Sequence, residues 1–169
     1  METTICAIKP GISRNQARGI ISGVSGDFSP QVQRLVYYPY LWVHYVYTVK
    51  TFLGKRSIKA YILVDLLNNL ASTADSFEHE DITVDEEALI PFSVGKEKAL
   101  ETARTYLLHS SIHKMKTLLL PESRVQEERE LYKPFWIVKC TDRDRLSFHV
   151  LVDALTGKYE ILNLDGEKQ

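Results

Sequence analysis

Two histidines at helical spacing are the first feature of this sequence that could support chemistry. His109 and His113 stand four positions apart in the stretch HSSIH, so on a helix they would share one face, as the ligands of a metal ion do. The zinc-protease pattern needs a glutamate directly after the first histidine, and the chain has Ser110 there. The sequence offers no evident third ligand. We therefore predict no metal site and no cofactor, and we interpret both histidines as ordinary helix residues.

Other catalytic signatures are also missing from the sequence. The stretch PGISRNQARG has the wrong glycine spacing for a phosphate-binding loop, and the chain contains no G-x-S-x-G motif. Cys6 and Cys140 lie far apart in apolar stretches, so we interpret them as reduced core residues. Without a catalytic constellation we predict no catalytic residues, and we favour a protein that is not an enzyme.

Asp65 and Asp153 occupy matching places in two similar stretches, ILVDLLNN and VLVDALTG. These stretches end in Asn69 and Gly157, residue types that tolerate a positive φ better than most. An aspartate ahead of such a residue can accept hydrogen bonds from the backbone N–H groups that follow it and so close a turn. We therefore interpret both aspartates as turn-forming residues rather than as catalytic acids.

The two turns belong to a longer repeated order of elements. Each half contains a proline, a helix pattern, an aromatic-x-proline step, a strand, a loop, a second strand and the aspartate turn. The helix patterns are SRNQARGIISGV, with a Ser13–Gln16 capping box, and GKEKALETARTYLLH. The hairpins follow from alternation, with exposed loops TFLGKRS and TDRDR. This order predicts units at residues 1–76 and 88–169, separated by a solvated acidic linker at 77–87.

The stretch PFWIV followed by FHVLVDALTGKYEIL resembles the PepSY module. Residues 95–162 follow that family's order of a helix, a strand with aromatic and valine residues, and a strand ending in VDA-TG before a short final strand. Residues 13–74 follow it with Asn68 and Asn69 in place of threonine and glycine. The resemblance implies a helix across a small antiparallel sheet and a non-enzymatic module that binds or restrains partner proteins. We accordingly predict an α+β fold of two tandem helix-on-antiparallel-hairpin units, cystatin-like and PepSY-like.

The aromatic stretch YYPYLWVHYVY is the main candidate for a binding surface. Alternation along a strand places Tyr45 and Tyr47 on one face, and Trp42, His44 and Val46 on the other. One interpretation is a central strand covered on both sides, and the other is an exposed aromatic surface that binds a protein or peptide. The candidate partner-binding residues are Tyr38, Tyr40, Trp42, Tyr45 and Tyr47.

Charge and hydropathy limit the classes of partner. A net charge of -1 and a pI near 6.5 argue against a protein that depends on phosphate contacts. Stacking of a single-stranded nucleic acid on the aromatic strand, beside Lys50, Lys55, Arg56 and Lys59, remains a third and less favoured option. No apolar run approaches the roughly 20 residues that cross a bilayer. Since the first residues lack the pattern of a signal peptide, we predict a cytoplasmic protein without a membrane partner.

Two function hypotheses follow from these features. The leading one is a non-catalytic protein-binding or regulatory module that acts on another protein or associates with itself. The alternative is a small-molecule-binding protein or an enzyme with a pocket between a curved sheet and a helix. That alternative requires His44 or His149 to converge with an aspartate and tyrosines in one cavity.

Overall fold

The computed structural model describes residues 1–75, 77–115 and 122–162, without the side chains of Thr51, residues 111–115 and Glu122. Its elements in chain order are β1 (Glu2–Ile8), α1 (Arg14–Val24), β2 (Ser29–Thr51), β3 (Gly54–Asp65), β4 (Ala71–Thr73), β5 (His79–Asp85), a 3-10 turn (Glu86–Ala88), α2 (Lys96–Met115), β6 (Glu122–Thr141), β7 (Ser147–Asp153) and β8 (Tyr159–Leu162).

The eight strands of the described residues form one mixed sheet. The strand order is β4-β3-β2-β6-β1-β5, with β7 paired to β6 and β8 paired to β7. β1 runs parallel to β6, where Ala7 stands opposite Tyr132, whereas the pairs β1–β5, β2–β3, β3–β4, β6–β7 and β7–β8 are antiparallel. The predicted α+β fold of two tandem PepSY-like helix-on-hairpin units is therefore wrong. Strands dominate the fold, and the described part of the chain contains only two α-helices.

The chain divides into two compact units whose segments interleave along the sequence. Unit 1 comprises Met1–Tyr38, His79–Ile90 and the described residues from Tyr132 onward. Unit 2 comprises Pro39–Glu78 and the described residues of Pro91–Leu131. The strands β2 and β6 contribute residues to both units.

In unit 1, helix α1 covers the hairpin β6–β7. The helix begins at the predicted capping box, since the Ser13 hydroxyl accepts a hydrogen bond from the Gln16 backbone and the Gln16 side chain accepts one from the Ser13 backbone. Ala17 and Ile21, one helical turn apart, are buried. The strand residues in this core are Val32, Val138, Cys140, Val150 and Val152.

In unit 2, helix α2 covers the hairpin β2–β3. Ala99, Ala103 and Leu107 recur every four residues and are at most 3% exposed, so the helix presents a narrow apolar stripe to the strands. The small alanine side chains allow the helix backbone to approach the sheet closely. The strand residues in this core are Leu41, Val43, Tyr45, Tyr47, Val49, Ile62, Val64 and Leu66.

The helix and the hairpin of each unit come from opposite halves of the sequence. Helix α1 precedes β2–β3 along the chain yet packs on β6–β7, and α2 precedes β6–β7 yet packs on β2–β3. The tandem prediction failed at this step. Hydrophobic periodicity identifies a helix and a hairpin, but it carries no information about which helix covers which hairpin.

Both aspartate turns have the predicted geometry. The Asp65 carboxylate accepts hydrogen bonds of 2.8 and 3.0 Å from the N–H groups two and three residues ahead. The Asp153 carboxylate accepts equivalent bonds of 2.8 and 3.2 Å. Asn69 has a φ of +55° and Gly157 a φ of +73°. The turn-forming role of both aspartates is therefore confirmed, as is the need for a left-handed backbone at the end of each turn.

The acidic stretch at 77–87, expected to be a linker, includes a strand. β5 pairs with β1 along its whole length, with Ile82 opposite Ile5. Ile82 and Val84 are half-buried, whereas the acidic side chains between them face solvent. The division into 1–76, 77–87 and 88–169 refers to where the sequence repeats, and it stays a prediction.

The two hairpin loops differ in length from one another. A loop lies close to the predicted TDRDR but is shifted by one residue, to 142–146, because β6 ends at Thr141 and β7 begins at Ser147. The predicted loop TFLGKRS contracts to two residues, Phe52 and Leu53, because β3 already begins at Gly54.

Candidate functional site

The residues of β2 in unit 2 alternate between two faces. Tyr45 and Tyr47 are 3% and 9% exposed and pack in the core beneath α2. The register places Tyr45 opposite Ala60 and Tyr47 opposite Ile58, so the partners on β3 are also apolar. The predicted alternation is confirmed, and the two tyrosines belong to the core.

The opposite face of the hairpin is aromatic and half-buried. We call it the outer face and define it by Tyr40, Trp42, His44, Val46, Tyr61 and Leu63. The register sets Trp42 opposite Leu63 and His44 opposite Tyr61, which brings three rings together. The Tyr61 ring stacks on Trp42 with centroids 5.6 Å apart and an interplanar angle of 17°, and on His44 at 4.6 Å and 27°. Stacking across the strands therefore holds the three rings in fixed positions.

His44 has a polar atom that the stack leaves unsatisfied. Its Nε2 is buried and makes no hydrogen bond with any of the residues that the structure describes. A buried polar atom without a partner is costly, and such atoms are rare in folded proteins. Because the protein itself covers Nε2, a partner on the outer face would meet the aromatic rings rather than this atom.

The five predicted site residues do not form one surface. Tyr40 and Trp42 lie on the outer face, Tyr45 and Tyr47 lie in the core, and Tyr38 lies in unit 1. The ring of Tyr38 lies 5.9 Å from that of Phe135, which belongs to the same unit. A role of these residues in binding a partner stays a prediction, although the side chains of Tyr45 and Tyr47 are buried beneath α2.

Sequence reasoning missed the contribution of β3 to the outer face. Tyr61 completes the ring stack, although it lies in the stretch IKAYILVD rather than in the aromatic strand. Pairing the two strands through the two-residue loop would have placed it opposite His44. The expected loop of seven residues concealed that register.

The Tyr45 hydroxyl is not arranged for catalysis. Burial raises its pKa, nearby Arg104 lowers it and Glu128 raises it again, with a net increase. The hydroxyl therefore stays protonated at neutral pH and donates a 3.4 Å hydrogen bond to the Leu100 carbonyl. This hydrogen bond connects β2 to α2, and it engages the Tyr45 hydroxyl, which is therefore not free to act as a catalytic acid or base.

The most strongly paired carboxylate of unit 1 serves the turn. Asp153 is 8% exposed, and its Oδ2 lies 2.6 Å from Nζ of Lys133. Burial alone raises the pKa of Asp153, but hydrogen bonds from Lys133 and from the Leu155 backbone, with the positive charge of Lys133, bring it below its ordinary value. A carboxylate that is ionised and fully engaged in this way supports the fold rather than proton transfer.

The described cavities do not contain the constellation that the enzyme alternative requires. A cavity of about 420 Å³ in unit 1 is lined by Arg14, Arg18 and both polar and apolar neighbours, without a histidine or a carboxylate. A cavity of about 130 Å³ in unit 2 lies beside the ion pair of Lys96 and Glu128. Neither His44 nor His149 lines either of them.

Metal ligands are not gathered in the described residues. Within residues 1–75, 77–115 and 122–162, histidine, cysteine and acidic side chains form no group of three or more that could hold a metal ion. His109 is exposed on α2, and the side chain of His113 lies outside the described part of the chain. Cys6 and Cys140 are thiols rather than partners in a disulfide.

Comparison with known proteins adds no relative. The chain matches no protein-family model, no curated protein and no solved structure. Within the described residues, neither helix has the length and apolar character required to traverse a lipid bilayer.

Proposed function

We propose that this protein is a non-catalytic protein-binding module whose outer face on β2–β3 receives a partner protein. The observation that carries the proposal is the stacked group of Trp42, His44 and Tyr61, which is only half-buried. Tryptophan and tyrosine supply most of the binding energy in many protein interfaces because they bury a large area with few rotatable bonds. Rings already held by stacking lose little further freedom on binding.

The partner is either another protein or a second copy of this chain. We assign the module to the cytoplasm as part of the proposal, since two thiols suit a reducing compartment.

The experiment is an affinity capture from the native host with wild type and with Trp42→Ser combined with Tyr61→Ser. A partner identified by mass spectrometry is then purified and titrated against both forms. We expect the double variant to bind it at least about tenfold more weakly, as expected for loss of central interface aromatics. Sedimentation velocity of the protein alone tests the second copy as partner.

The matched control is Tyr159→Ser, which removes a 47% exposed tyrosine from β8 in unit 1. Circular dichroism must show that each variant is folded. The proposal is wrong if the outer-face variant keeps wild-type affinity for every captured partner and the protein is monomeric at all concentrations. Tyr45→Ala is unsuitable here because it creates a core cavity that costs about 3–5 kcal/mol.

A further inference from the structure

The loop between β2 and β3 exposes two large apolar side chains. Phe52 is 105% exposed and Leu53 is 96% exposed, the highest values among the large apolar residues of the described chain. They are adjacent, and they form the whole of the two-residue connection between Thr51 and Gly54. We call residues 50–59 the hairpin tip.

Turn formation does not account for these residue types. Two-residue hairpin loops favour asparagine, aspartate and glycine, whose backbones adopt the required angles. Here Gly54 takes the demanding conformation, with a φ of +125°. Phe52 and Leu53 therefore contribute nothing that polar residues would not, and adjacent exposed apolar side chains usually indicate a binding surface.

The flanking charge is entirely positive. The segment KTFLGKRSIK contains four cations and no acidic residue, although the whole chain has a net charge of -1. The side chains of all four cations are exposed, on both strands that lead to the tip. They are Lys50, Lys55, Arg56 and Lys59.

We propose that the hairpin tip docks on the surface of an anionic lipid bilayer. Phe52 and Leu53 enter the boundary between headgroups and acyl chains, and the four cations bind the anionic headgroups around them. A bilayer offers this order of chemistry, apolar below and negative above, which matches apolar residues at the apex and cations behind them. The sequence-based expectation of no membrane partner rested on the absence of a spanning run and of a signal-peptide pattern, and peripheral docking needs neither.

The loop of the other hairpin provides a comparison within the same chain. Leu146 in the β6–β7 loop is 69% exposed, but its neighbours Asp142, Arg143, Asp144 and Arg145 alternate in sign. A bilayer therefore gains no net attraction from that loop. It supplies an exposed leucine without the positive surroundings.

The test is flotation of the full-length protein with phosphatidylcholine vesicles, with and without phosphatidylserine. We expect binding only to the phosphatidylserine vesicles, with an affinity that falls as salt rises. Phe52→Ser combined with Leu53→Ser should weaken binding by about tenfold or more, whereas Leu146→Ser should leave it unchanged. Removing two cations should weaken binding by about 25-fold, roughly fivefold for each. Lys55→Glu with Arg56→Glu should exceed that loss, because it also reverses the charge.

A direct readout of insertion uses Phe52→Trp with brominated lipids. The added tryptophan should be quenched more strongly than the native tryptophans of the wild-type protein. The proposal is overturned if wild type does not float with phosphatidylserine vesicles or if the Phe52 and Leu53 double variant floats equally well. Binding of a single-stranded oligonucleotide in place of the vesicles would overturn the assignment to lipid.

Discussion

Asp153 is a buried residue whose carboxylate makes both an ion pair and the hydrogen bonds of a turn. It contacts Lys133 at 2.6 Å and accepts two backbone hydrogen bonds that close the turn after β7. Its counterpart Asp65 accepts the same two backbone bonds, together with one from the side chain of Asn68. A single residue type thus closes both turns, but Asp153 is buried whereas Asp65 is half-buried.

The low pKa of Asp153 makes its contribution to stability dependent on pH. Because the folded-state pKa lies below the ordinary value of 3.8, the contribution is complete above that pH and is lost as the pH falls through the folded-state value. We expect Asp153→Asn to lower the free energy of unfolding at neutral pH by about 1.5–3 kcal/mol, the range for hydrogen bonds to charged groups. Urea unfolding of both proteins at a series of pH values checks this.

The control for this prediction is Asp144→Asn, in the exposed β6–β7 loop. It should change stability by no more than about 0.5 kcal/mol, as is usual for surface positions. The difference between wild type and Asp153→Asn should shrink on acidification below pH 3.8. A difference that stays constant down to the lowest pH would contradict the assigned role of the charge.

At the scale of elements, each aspartate turn contains a residue with a left-handed backbone, Asn69 or Gly157, between two antiparallel strands. Gly157 has a φ of +73°, and a Cβ there would lie 3.0 Å from Cδ1 of Ile20 on α1. Gly157→Ala should therefore destabilise the protein by about 1–2 kcal/mol. Gly19→Ala, within α1 and with open space around it, should instead stabilise it by about 0.5–1 kcal/mol.

Thermal unfolding followed by circular dichroism measures both glycine variants under one set of conditions. The two changes add the same methyl group, so opposite signs distinguish the turn position, with its left-handed backbone and its contact with Ile20, from the open helix position. If Gly157→Ala were as stable as wild type, the left-handed conformation at this turn would not be required.

Single elements were predictable from the sequence where the pattern was local. Alternation in LWVHYVYTV identified which side chains share a face, although not which face lies inward, and Ser13 with Gln16 marked the start of α1. The beginnings of the long strands were not predictable, because SPQVQRL in β2 and SRVQEERE in β6 are largely polar. Strand formation there depends on pairing with distant residues, which periodicity does not report.

The candidate site was partly predictable for the same reason. Trp42 and Tyr40 were identified because they stand within one aromatic strand. Tyr61 was not, because its place beside His44 depends on the register of β2 with β3. No pattern in the sequence predicted that each helix would pack on the hairpin from the other half of the chain.

At the scale of the whole molecule, this interleaving predicts how fragments behave. Residues 1–90 contain α1 and β2–β3, and residues 91–169 contain α2 and β6–β7. Neither fragment contains a helix together with the hairpin that it covers. We expect each fragment alone to show little cooperative structure, and an equimolar mixture to regain the circular dichroism spectrum and a cooperative thermal transition.

The full chain, measured at the same concentration, is the reference for the fragment experiment. Cooperative melting of residues 91–169 alone, at the temperature found for the mixture, would show that α2 can cover β6–β7. That outcome would restore the tandem arrangement that the structure contradicts.

Interleaving also has a consequence for the order of events on the ribosome. Helix α1 is synthesised before the hairpin beneath it, which ends at Asp153, so unit 1 cannot close until the chain through that residue has left the exit tunnel. The hairpin β2–β3 likewise waits for α2, with Tyr45 and Tyr47 open to solvent in the meantime. A nascent or prematurely terminated chain is therefore a substrate for chaperones and proteases rather than a half-folded protein.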